Sequence, residues 1–119
     1  MSVQIHKVEI DGRMLTDWEG FHSVFAKKLG FPSYYGRNMN AWNDCFYSLP
    51  DESSILTLAE GDIVWLDLRH YKDLRARQPE LAEAILDGAA FVNFTLDDAR
   101  RRGGTQPTLL GAVAVSAFE

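Results

Sequence analysis

The chain has 119 residues, 46% apolar and 24% charged, which suits one globular domain and excludes intrinsic disorder. A single cysteine, Cys45, rules out a disulfide within the chain, and no apolar run is long enough to cross a bilayer. The net charge of -5 at pH 7 counts against phosphate backbones as partners and favours basic ones. Met1 to Asp11 lacks the apolar stretch of a secretion signal, so the expected compartment is the cytoplasm.

Val3, Ile5, Val8 and Ile10 alternate imperfectly with polar residues, which reads as a first strand ending in an Asp11-Gly12 turn. Trp18, Phe21, His22, Phe25 and Leu29 recur at spacings of three and four, one face of an amphipathic helix. Thr16 or Asp17 can cap its start, and Gly30 followed by Pro32 stops it. Ser33 to Arg37 is a short aromatic loop, and a second helix runs from about Asn38 to Leu49, ending at Pro50. Ile63, Val64, Trp65, Leu66 and Leu68 have the composition of a strand buried on both faces. A linker through His70 and Tyr71 leads to Leu74.

Pro79 fits a first helical turn, and Leu81, Ala82, Ile85, Ala89, Val92 and Leu96 continue at helical spacing, with a break near Gly88. Arg100-Arg101-Arg102 before Gly103-Gly104 has the chemistry of a helix C-terminus, where cations complement the dipole and glycine ends the helix. Thr105 to Pro107 is a turn, and Leu109 to Ala117 is a last strand. Strands separated by helices predict one α/β domain over residues 1–119, its sheet parallel and in the order 2-1-3 or its equivalent.

The most informative stretch is Phe31-Pro-Ser-Tyr-Tyr-Gly-Arg-Asn-Met-Asn-Ala-Trp-Asn-Asp-Cys-Phe46. On a helix, Asn40, Asn43, Asp44 and Tyr47 fall at i, i+3, i+4 and i+7, a single polar stripe. Ala41, Trp42, Cys45, Phe46 and Leu49 fall on the other side and are mostly apolar, so the helix docks through Trp42 and Phe46. Cys45 is expected to act as a small buried hydrophobe. Asn38 can cap the first turn, and Gly36 permits a turn or close approach that a side chain would block. Tyr34 and Tyr35 offer stiff contact area with a hydroxyl at the tip, suited to an interface or to packing.

In their order, Pro32, Tyr34, Tyr35, Gly36, Asn38, Ala41, Asp44 and Cys45 resemble the signature of the barstar family. Outside the signature the resemblance is one of element order across nearly the whole chain. It implies a three-stranded parallel sheet packed against about four helices. It further implies a protein inhibitor, monomeric when free, that occludes the active site of a small basic ribonuclease. The implied partner-binding residues are Tyr34, Tyr35, Gly36, Asn38, Asn40, Asn43, Asp44 and Tyr47, with Asp98 by approximate alignment. A ribonuclease site concentrates cations to hold phosphate, so a carboxylate such as Asp44 on a rigid helix can take the phosphate position. Asn40 stands where the family's archetype is acidic, and Asn43 where it has tryptophan.

An enzyme needs a base, a nucleophile and a charge stabiliser in one pocket. His6, His22 and His70 are scattered over a strand, a helix and a linker, and Gly103-Gly104 lacks the Lys and Ser/Thr of a phosphate loop. The expectation is therefore no enzyme, metal or cofactor, and no nucleic-acid or membrane partner. The alternative is a regulatory module that binds a protein other than a nuclease.

Overall fold

The computed structural model describes residues 3–49, 56–103 and 109–119. In chain order the elements are β1 (Ile5–Asp11), a 3-10 turn (Gly12–Met14), α1 (Trp18–Leu29), α2 (Met39–Tyr47), β2 (Asp62–Arg69), α3 (Tyr71–Arg77), α4 (Pro79–Arg101) and β3 (Leu110–Ala117). Pro50 and the expected Thr105–Pro107 turn lie outside the described residues.

The helix boundaries follow from their caps. Asp17 accepts the Gly20 amide at 2.7 Å, which settles the Thr16 or Asp17 alternative, and Gly30 closes α1 in the left-handed region at φ 70°. Asn38 caps α2 by accepting the Ala41 amide at 2.8 Å. Leu49 lies beyond the end of α2 yet is still buried. The arginine triplet does end α4, with Gly103 left-handed at φ 70° and Arg101 and Arg102 paired to Asp97 and Asp98.

The sheet is parallel throughout, in the order β1-β2-β3 rather than 2-1-3. The most apolar strand takes the central place, where both its edges are hydrogen-bonded. Val64, Leu66 and Leu68 join Val8 and Ile10 in the core beneath the helices. Only that face of β2 is apolar and fully covered, a correction to the expectation of burial on both faces. On the other face Ile63 and Trp65 are half-buried, and Ile5 of β1 is 63% exposed. Trp65 lies under Lys7 and donates its indole N–H to Ser116 Oγ at 2.6 Å.

Two elements depart from the periodic reading. The linker at His70 and Tyr71 opens into α3, whose single buried apolar residue, Leu74, leaves no periodicity to detect. Arg77 holds it in place by bonding Asp73 at 2.8 Å and the Gly12 carbonyl at 3.0 Å. Conversely, α4 runs unbroken through Gly88. A Cβ there would stand 2.6 Å from Trp42 Cζ3 and 3.1 Å from Met39 Cε, so this glycine lets α2 approach α4. Gly88→Ala is therefore expected to destabilise the fold by about 1–2 kcal/mol. Overpacking of this kind costs about 1–3 kcal/mol, and the helix-propensity gain of up to about 1 kcal/mol offsets only part of it. Denaturant midpoints would test this, and an unchanged or raised midpoint would show that the contact relaxes freely.

A carboxylate clamp ties the start of β2 to its surroundings. Asp62 accepts the Gln4 amide at 3.0 Å, the Ala59 amide at 2.9 Å and the His6 Nε2–H at 2.8 Å. The His6 bond first, then the two amides, hold its pKa at about 2, down from 3.8. Asp67, buried on β2, is also held low: Arg69 and Lys7 outweigh the opposing effect of burial. A depressed carboxylate contributes stability above its unfolded pKa and loses it as pH falls through the folded one. Melting temperature should therefore drop as pH falls from about 4 towards 2, and Asp62→Asn should flatten that drop. A variant that follows the wild-type curve would show that Asp62 has no part in it.

Candidate protein-binding face

The segment joining α1 to α2 is a tight turn with its two tyrosines pointing apart. The Tyr35 amide bonds the Pro32 carbonyl at 2.9 Å, which leaves Tyr34 at the apex, 81% exposed. Tyr35 turns inward: its hydroxyl bonds His22 Nδ1 at 2.5 Å and its ring packs against Phe31. Burial pushes the Tyr35 pKa up and the His22 pKa down, which favours the neutral forms of both, and the two share one hydrogen bond whose donor is set by the tautomer of the imidazole. The tyrosine pair is thus divided, Tyr34 available for contact and Tyr35 an anchor in the core.

The residue forced into the left-handed region is Arg37 at φ 53°, whereas Gly36 is exposed and does not need positive φ. Such a conformation costs a non-glycine residue about 1–2 kcal/mol. Arg37 is held there by bonds from its guanidinium to the Glu19 carbonyl (2.9 Å), Glu19 Oε1 (2.6 Å) and Ser23 Oγ (2.8 Å). Asn38 closes the loop by donating from Nδ2 to the Gly36 carbonyl at 3.2 Å while its Oδ1 caps α2. His22 and Arg37 were not among the candidate residues. Their partners lie 13 and 18 residues away along the chain, and no local pattern signals such pairs.

On α2 the division into two faces holds. Trp42 and Phe46 are fully buried, 4.6 Å apart between ring centroids, and Trp42 meets Phe25 edge-on. Cys45 is only half-buried, at the margin of the core. On the opposite side Asn40 and Asp44 are exposed, while Asn43 and Tyr47 are half-buried. Asp44 has no ion-pair partner among the described residues, so its carboxylate is free to accept hydrogen bonds from outside. Asn43 Oδ1 is shut off from solvent with no donor among the described residues. Asp98 lies about three helical turns along α4 from Gly88, where α2 crosses, and pairs with Arg102 Nε at 3.1 Å.

Among the described residues no three His, Cys, Asp or Glu side chains are grouped to hold a metal, and no helix is long and apolar enough to cross a membrane. What the architecture offers is a polar helix face and a projecting tyrosine, carried on a helix and a turn that Trp42, Phe46 and Tyr35 anchor from beneath. That defines an α/β protein whose exposed helix face and turn are braced by its core. The family described as Barstar (barnase inhibitor) matches residues 5–106, and the chain belongs to it. A Bacillus subtilis (strain 168) protein named "Putative ribonuclease inhibitor YrdF" is 36% identical over 69 residues, which cover 58% of this chain and 76% of that protein.

Proposed function

We propose that this chain inhibits a small basic ribonuclease in the cytoplasm, binding as a free monomer and covering the active site with Tyr34 and the outer face of α2. The observation that carries this reading is Asp44, an exposed carboxylate with no ion pair among the described residues, on a helix whose other face is locked by Trp42 and Phe46. A rigid carboxylate loses little freedom on binding, so its charge-assisted hydrogen bonds to the cations of a phosphate site are gained at low entropic cost. Asn40, Asn43, Tyr47 and the Tyr34 apex set the register around it. Gly36 and Asn38 lie at the turn into the helix, and Tyr35 holds the turn from within. Asp98 contributes at the edge after exchanging Arg102 for a cation of the partner. Membership of the barstar family supports the same reading.

The test is titration of RNA cleavage by purified barnase with the intact chain, beside sedimentation of the mixture. Stoichiometric loss of cleavage with a one-to-one complex is expected. Absence of both, with barnase and with other small basic ribonucleases, would overturn the proposal. The neutral Asn40 and Asn43 also fit a regulatory module with a less basic, non-nuclease partner, and the same failure would favour that alternative.

A further inference from the structure

The turn that carries Tyr34 has its glycine and its left-handed residue in different places. Gly36 does not need positive φ, while Arg37, one position later, sits at φ 53°. A turn shaped by backbone preference would place its glycine at the left-handed position. What shapes this one lies further back in the chain. Glu19, His22 and Ser23 of α1 fall at i, i+3 and i+4, a single face of that helix. His22 holds Tyr35 from inside the core, with Trp18 stacked on its ring at 5.9 Å between centroids. Glu19 and Ser23 hold Arg37 from outside, and their three acceptors converge on one nitrogen, Nη2. The Glu19 carboxylate also offsets a cation that stands between Gly36 and Asn38 and would otherwise repel a basic partner.

We infer that Arg37 is a positioning residue of the inhibitory surface: latched to Glu19 and Ser23, it sets the angle at which Tyr34 and the start of α2 meet the ribonuclease. The inference rests on the proposed function and deepens it. The latch holds the turn in a conformation that is costly for an arginine left free. The partner therefore meets Tyr34 and the first turn of α2 already in place and need not order them on binding. This role does not require Arg37 to touch the partner, because Nη2 is directed at α1 and the effect passes through the backbone. Asn38, the next residue, bonds both the Gly36 carbonyl and the Ala41 amide. Losing the latch would loosen the apex and the cap of α2 together.

The test compares inhibition of barnase by the wild type, Arg37→Ala, Arg37→Gly and the double variant Glu19→Ala/Ser23→Ala. All three positions are exposed, so melting temperatures should stay close to wild type. Arg37→Ala keeps the left-handed demand without the latch and should weaken inhibition about five- to thirty-fold, the population shift that matches a left-handed alanine. Arg37→Gly also lacks the latch but adopts that conformation freely, so it should recover a good part of the loss. The double variant should weaken inhibition too, and combining it with Arg37→Ala should add little. Equal losses for alanine and glycine, with the double variant like wild type, would mean that Arg37 acts by touching the ribonuclease, which overturns the positioning role. Inhibition by Arg37→Ala as strong as wild type would overturn it as well. Amide hydrogen exchange on the free chain supplies an arm that needs no partner. The Tyr35 and Ala41 amides, bonded to the Pro32 carbonyl and Asn38 Oδ1, should exchange at least about five-fold faster in Arg37→Ala, with β2 unchanged. If the wild type does not inhibit barnase, the inhibitory reading fails for that enzyme. Exchange alone then decides the latch: faster exchange keeps it, and unchanged exchange removes it.

Discussion

Trp42→Ala is expected to lower the stability of this fold by about 3–5 kcal/mol, a large fraction of what a domain of this size has. The indole is fully buried between α1, α2 and α4. Its ring meets Phe25 and Phe46, and its edge lies against the Gly88 backbone. Alanine would leave a cavity that three helices cannot close without giving up their sheet contacts. Trp42→Phe should cost much less. The indole Nε1–H has no acceptor among the described residues, so phenylalanine would lose volume but also remove a buried polar group that gains nothing. Denaturant midpoints for the two variants would decide this. A Trp42→Ala midpoint within noise of wild type would mean that Trp42 does not hold α2 to the core.

Asp44→Ala is expected to cost binding at least about 2–5 kcal/mol while leaving folding almost untouched. The magnitude is borrowed from buried interfacial charge pairs, among them those of the barnase–barstar archetype itself. It arises because the cations of the partner would be buried without a counter-charge. Folding is insensitive because an exposed, unpaired helix charge contributes little to stability. Asn40→Asp is the complementary substitution. Restoring a carboxylate one helical turn before Asp44 should tighten binding to a basic ribonuclease and raise the association rate at low salt. Affinity and melting temperature measured together for both variants separate binding from folding. If Asp44→Ala binds barnase as tightly as the wild type, the phosphate-mimic role is wrong.

The periodic elements were open to sequence reasoning because burial and period are the same constraint there. The face of α1 carrying Phe21, Phe25 and Leu29, and that of α2 carrying Trp42 and Phe46, are the buried faces. The caps Asp17 and Asn38 were legible because capping is a contact within three residues. Short α3 was not, since seven residues with one buried side chain hold no period. Gly88 misled for a related reason. Its helix-breaking tendency is local, whereas the Trp42 ring that requires a glycine there belongs to another helix.

The sequence by itself determined the α/β class, the parallel sheet, the tyrosine turn and the two-sided character of α2. Each depends on neighbours within a few positions or on the family signature they spell. Only the tertiary structure decided that β2 lies between β1 and β3, and that Tyr35 faces His22 while Tyr34 faces solvent. It also decided that the strained turn rests on Arg37. These depend on contacts between residues distant along the chain, where local pattern is silent and the competition for one shared core selects the partner.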